Sequence, residues 1–128
     1  MAKQANSGMN KAVWVEPPPV YDVKALTPVM NKTKWDELRL AMYDIEPTPG
    51  WSTLSDNGYQ STVDGEWYYH FRIGLYVDII HVDILVDTLD QRNKVRQALK
   101  TIHVPGEETD TGFRVFGYIE SGQTVTYI

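Results

Sequence analysis

Apolar residues recur at steps of three and four in two stretches of this chain, and at steps of two in the stretch between them. Trp35, Leu38, Met42 and Ile45 form the first stripe and predict an amphipathic helix over 34–45. Thr33 and Asp36 have capping-box spacing, and Asp36-Glu37 place negative charge at the positive end of the helix dipole. Pro47-Thr48-Pro49-Gly50 ends that helix. Val95, Leu99 and Ile102 form the second stripe, on a helix spanning 89–102 with Thr88 and Gln91 at capping-box spacing. Arg92, Lys94, Arg96 and Lys100 give this helix a basic outer side, for solvent or for an acidic surface.

Between the helices, residues 64–86 read as two successive β-hairpins. Asp64-Gly65 suits a type I′ turn, and Gly74-Leu75 suits type II′ with glycine first. Two-residue loops fix the register, and side chains then alternate between faces. One face carries Trp67, Tyr69, Phe71, Ile73, Tyr76, Ile80, Val82, Ile84 and Val86 and reads as core, with Asp78 its misfit. The opposite face carries Glu66, Tyr68, His70, His81 and Asp83, along with Arg72, Val77, Ile79 and Leu85. Glu66 would then oppose Asp83 across the ladder, a repulsive pairing that would raise one carboxyl's pKa or recruit a cation.

Trp51–Leu54 is a short strand candidate, Asp56-Asn57-Gly58 a turn, and 104–108 a loop. Phe113–Glu120 and Gln123–Ile128 read as a final hairpin about Ser121-Gly122. Residues 1–29 form a Pro-containing N-terminal extension, which could lie across the domain or pair as an edge strand. Its Met9-Asn10-Lys11 recurs as Met30-Asn31-Lys32 just beyond it, and Met30 is a natural start for the compact part. Residues 30–128 form a single α+β domain. The expected fold is an antiparallel sheet of about five or six strands with two helices packed on one face.

The chain's 128 residues amount to one domain. Its 4 Trp, 8 Tyr and 3 Phe support a packed core and also suit an interface. The absence of cysteine removes disulfides, thiolate metal sites and a Cys nucleophile. No secretory h-region and no apolar run of ~20 residues is present, so a soluble, cytoplasmic protein without membrane contact is expected. The net charge is −5, and its distribution is uneven. In residues 56–90, Arg72 stands alone against Asp56, Asp64, Glu66, Asp78, Asp83, Asp87 and Asp90. That argues against nucleic acid, which demands a basic patch, and suits either a cationic partner or simple solubility.

Two His and two carboxylates among Glu66, His70, His81 and Asp83 are groups that ligate divalent metals or shuttle protons. Ordinary polar residues on a solvated sheet explain them as well, and no nucleophile, oxyanion loop or phosphate cradle accompanies them. No cofactor is implied. His103, at the end of the second helix, is placed to cap it as a cation. Arg114 reads as an edge charge.

Trp35-Asp36-Glu37-Leu38-Arg39-Leu40-Ala41-Met42-Tyr43, Asp64-Gly65-Glu66-Trp67, Tyr69-His70-Phe71, His103-Val104-Pro105-Gly106 and Phe113-Arg114-Val115-Phe116-Gly117-Tyr118 give a family likeness. From Met30 onward the chain resembles a small uncharacterised bacterial domain-of-unknown-function family, which implies no activity and no site residues. Its size, acidity and aromatic-rich exposed sheet are similar, at the level of class, to bacterial immunity proteins. The leading expectation is a non-enzymatic protein-binding module of immunity type, neutralising a cationic toxin domain through Glu66, Tyr68, His70, His81 and Asp83. The alternatives are a metal-dependent hydrolase using Glu66, His70, His81 and Asp83, and a small-ligand binder with an aromatic pocket.

Overall fold

The computed structural model describes residues 19–128. The sequence features within 1–18, including Met9-Asn10-Lys11, lie outside the described residues. In chain order come a 3₁₀ turn (Val23–Ala25), β1 (Leu26–Pro28), α1 (Lys32–Asp44), β2 (Gly50–Ser55) and β3 (Ile79–Leu85). Helix α2 (Leu89–Ile102) follows, then β4 (Gly106–Glu108), β5 (Gly112–Phe116) and β6 (Tyr118–Glu120). The fold is α+β, with two helices and six antiparallel strands in two sheets. The larger sheet has the order β2-β3-β5-β4, and β1 pairs with β6 in the smaller one. Part of the expected N-terminal extension is thus a strand, Leu26–Pro28, laid against Tyr118–Glu120.

Both helices form where their stripes demand. Trp35, Leu38 and Met42 of α1 and Val95 and Leu99 of α2 are buried in one cluster with Val82, Ile84, Phe113 and Val115 of the sheet. Thr88 caps α2 as its spacing requires, accepting from the Gln91 N–H at 3.1 Å. Helix α1 starts earlier than Thr33 suggests. Asn31 is its cap, and Asn31 Oδ1 accepts from the Lys34 N–H at 2.8 Å.

The sheet carries one register break. Leu54 pairs with His81 and Ser55 with Ile79, so Ile80 is an extra residue on β3. The bulge lets Ile79 join Val82 in the helix-side core, three residues apart instead of two. Ile80 instead faces a pocket lined by Tyr21, Leu26, Phe116 and Ile119.

Two local expectations are overturned, and a third, the capping of α2 by His103, holds in a different form. First, the final hairpin does not form. Gly117 breaks the run after Phe116: its N–H donates to Ile80 O, and its own carbonyl accepts from Val29 N–H at 2.9 Å. The chain thereby passes from the larger sheet to the smaller. Ser121-Gly122 does turn, but the tail runs back along Val104–Gly106, with Gly106 N–H donating to Thr126 O. His103 caps α2, but by backbone conformation. It adopts φ 65°, and its N–H donates to Leu99 O. Its ring stacks on Tyr127, 4.0 Å between centroids.

Second, the double hairpin is absent. Only Ile79–Leu85 of the 64–86 segment is a strand, and residues 67–78 are turns. Carboxylates curl the chain there. Asp64 Oδ1 accepts from Glu66 N–H at 2.8 Å, forming a local turn that competes with a ladder. Glu66 then accepts from the N–H groups of Tyr68, Tyr69 and His70 at 3.1, 2.9 and 2.8 Å. Those donors are therefore unavailable to a neighbouring strand.

Candidate functional site

The segment from Asp64 to Asp78 is a loop fastened at both ends and along its length. Trp67, Phe71 and Tyr76 point inward and are nearly inaccessible. Phe71 sits 4.7 Å from Trp67 and 5.1 Å from Trp51 between ring centroids, while Tyr76 stacks on Trp35 at 5.8 Å. These tilted and edge contacts are favourable beyond burial alone. Each buried polar tip finds a partner. Trp67 Nε1 donates to Pro49 O at 2.8 Å, Trp51 Nε1 to Glu66 O at 3.0 Å, and Tyr76 Oη to Asp36 Oδ1 at 2.6 Å. Arg39 reaches up from α1 to donate to Tyr68 O at 2.6 Å, and Tyr118 Oη donates to Val77 O at 2.7 Å.

Beside His70 and Arg72, the same loop exposes four large apolar residues. Tyr69 is 60% exposed, Ile73 74%, Leu75 65% and Val77 66%. Scattered exposed apolar residues are ordinary, but four within one short loop are a local concentration of exposed apolar groups. Leu75 and Tyr76 follow Gly74 in the left-handed region, at φ 58° and 71°. Two consecutive side-chain-bearing residues there are costly, about 1–2 kcal/mol each, and such strain gathers at functional loops.

On the α1 side, Tyr68 lies between Tyr43 and Tyr69, with centroids at 5.4 and 5.0 Å. Arg72 lies over both Tyr68 and Tyr69. Tyrosine and arginine together are the side chains that dominate interface energetics.

The five residues singled out by the sequence fall into two groups. Glu66, Tyr68 and His70 belong to the loop. Glu66 is spent on backbone donors, chiefly His70 N–H, which hold its carboxyl below the usual range. His70 Nδ1 bonds Asp64 Oδ2 at 2.8 Å, which raises the imidazole's pKa. Burial pushes the Asp64 carboxyl up, but the Glu66 N–H and His70 more than offset it, leaving it below its ordinary value. His81 and Asp83 belong to β3, on the sheet face turned away from the helices. Asp83 is flanked by Ser52 and Arg114, not by Glu66. Arg114 grips it with two hydrogen bonds, Nε to Oδ1 at 2.8 Å and Nη2 to Oδ2 at 3.2 Å. The expected carboxylate–carboxylate opposition therefore does not arise, and Arg114 is a mid-sheet ion-pair partner, not an edge charge. Burial first, then the Arg114 charge, lowers the His81 pKa. Among the described residues, no group of three or more His, Asp and Glu is placed to hold a metal ion.

The sequence reading missed Asp64, the outward apolar residues of the loop and Arg39. The spacing of Trp67 and Phe71, four apart after a carboxylate at Glu66, is the signal of a helical-type turn that marks them.

Comparison with protein families places this loop within a known domain. A model of a family of unknown function, DUF6678, matches residues 20–122. The chain belongs to this family. The matched range starts ahead of Met30, so it takes in β1 and the turn before it, along with both helices and the whole loop. No curated protein matches the chain, and no solved structure does. Among the described residues, no helix is long and apolar enough to cross a membrane.

Proposed function

We propose that this domain is a protein-binding module and that the Asp64–Asp78 loop is its contact surface. The observation that carries the reading is that one short loop is fixed by buried aromatics and hydrogen bonds yet exposes Tyr69, Ile73, Leu75 and Val77. A prefixed apolar surface loses little conformational freedom on binding, which favours affinity. The finer reading is an immunity-type protein that occludes a cationic toxin domain. The acidic balance of residues 56–90 supports it, in particular Asp56, Asp78 and Asp87, whose carboxylates have no hydrogen-bond or ion-pair partner among the described residues. Glu66, Tyr68 and His70 serve this surface by shaping it. His81 and Asp83 stand on β3 apart from the loop, so a hydrolase built on all four groups lacks a common centre.

The test is capture from the native cell by the tagged chain and by a variant with Tyr69, Ile73, Leu75 and Val77 replaced by Ser, followed by quantitative mass spectrometry. A protein retained by the natural chain and lost by an equally stable variant is the expected result. Equal capture by both would sink the reading. A toxin among the retained proteins supports the immunity form, and a partner without toxic activity removes it.

A further inference from the structure

A second concavity lies behind the loop tip, between the loop and the strip that follows the Asn57-Gly58 turn. It has a volume of about 280 Å³, and its lining includes Tyr59, Phe71, Ile73, Ile79, His70 and Asp78. The walls are largely apolar, but Asp78 is half-buried and carries no side-chain hydrogen bond or ion pair among the described residues. The other carboxylate in the groove, Asp64, is already taken by His70 at 2.8 Å. Arg72, the one lysine or arginine of residues 56–90, lies over Tyr68 and Tyr69 instead.

We propose that this groove receives a lysine or arginine side chain of a protein partner, its aliphatic stem along Ile73 and Tyr59 and its cationic head at Asp78. The assignment rests on the loop being a protein contact surface, and it names the chemistry of what is bound beside it. A long basic side chain fits because it divides into an apolar stem and a charged head, as the groove does. The unmatched Asp78 carboxylate supplies the complementary charge, and an acidic side chain would be repelled by it. Thr53 and Ser55 add hydroxyl acceptors on the β2 side, which suit the several donors of a guanidinium.

The experiment is a titration of the ¹⁵N-labelled full chain with N-acetyl-arginine methylamide, with N-acetyl-glutamate methylamide as the control probe. Saturable shifts centred on Tyr59, Ile73 and Asp78 are expected for the arginine probe alone. Asp78→Asn, which keeps the side chain's shape, should weaken the probe at least about fivefold, the scale of one charge-assisted contact. Ile73→Ser should weaken it independently, and because Ile73 is exposed this variant keeps the fold. Absence of saturable shifts, or equal binding by Asp78→Asn, overturns the assignment. The two readings fail separately. A partner held by the loop with unchanged affinity in Asp78→Asn refutes the groove and leaves the loop standing. Probe binding at Asp78 alongside equal protein capture by the Ser variant refutes the loop and leaves the groove standing.

Discussion

The Tyr76 phenol donates to the Asp36 carboxylate across 40 positions of sequence, at 2.6 Å, and so ties the end of the exposed loop to the first turns of α1. Lys32 meets the other oxygen of Asp36 at 2.8 Å, and Arg39 approaches from the next turn. Burial first, then the bond to Asp36, pushes the Tyr76 pKa up to about 12. Tyr76→Phe keeps the ring among Trp35 and Phe71 and removes only this bond. A loss of about 1–2 kcal/mol in denaturant unfolding is expected, less than for a fully buried charge because Lys32 still holds Asp36. Tyr76→Ala, which also opens a cavity in the aromatic cluster, should cost about 3–5 kcal/mol.

Leu75 offers a different outcome. It is held at φ 58° with its side chain largely in solvent, so it contributes strain without contributing core. Leu75→Gly relieves the left-handed penalty, while the glycine adds freedom to the unfolded chain. A net gain of up to about 1 kcal/mol is expected, read as a raised melting temperature. The same change removes apolar surface from the loop and should weaken partner capture. A loss of stability would show that Leu75 is not strained in the folded state.

The Asp64–His70 pair predicts a pH profile. The folded-state pKa of His70 lies above its ordinary value of 6.5, so its contribution is complete below that value and disappears as pH rises through the raised one. Asp64 behaves oppositely. Its pKa is depressed from 3.8, and its contribution is present above that value and lost as pH falls through the depressed one. Hydrogen exchange of the Tyr69 and His70 amides should therefore be slowest between the two. His70→Asn should flatten the neutral-pH limb, and an unchanged slope there would exclude His70 as its source.

Glu108 gives the acid limb of global stability. Arg96 chiefly, then Arg92, holds its carboxyl down at about 2, against an ordinary 4.5. Its contribution is present above pH 4.5 and is lost as pH falls towards 2. Glu108→Gln should be the less stable protein at neutral pH, and the gap to the natural chain should close across that window in thermal melts. The effect is modest because the group is well exposed and screened by water. A gap that stays constant with pH would mean the carboxylate is not the source.

These bonds show where sequence reading succeeds and where it stops. Periodicity over a dozen residues located both helices, because Trp35, Leu38, Met42, Val95 and Leu99 pack on one sheet and have no alternative face. The same reasoning failed over 64–78, where the spacing of Trp67, Tyr69, Phe71 and Ile73 supports two periods. Read at two it is a strand. The structure keeps Trp67 and Phe71 inside and puts Tyr69 and Ile73 outside. What decides between them is the Glu66 carboxylate collecting three successive N–H groups, a local competition that hydrophobic pattern does not register. The tail was misread for a long-range reason. Thr126 and Ile128 find their backbone partners at Gly106 and Val104, about 20 residues back, and no turn signal encodes that choice.

Because inward residues recur only every fourth or fifth position along a single fastened loop, the surface and the scaffold can be varied separately. Tyr69, Ile73 and Val77 reach solvent, whereas Trp67, Phe71 and Tyr76 carry the packing. Under the proposed function, exchanging the first set would rewrite what the loop recognises while leaving the framework that displays it untouched. The domain is thus suited to serve as an interchangeable recognition head, with its specificity lodged in a handful of positions whose replacement is cheap for folding.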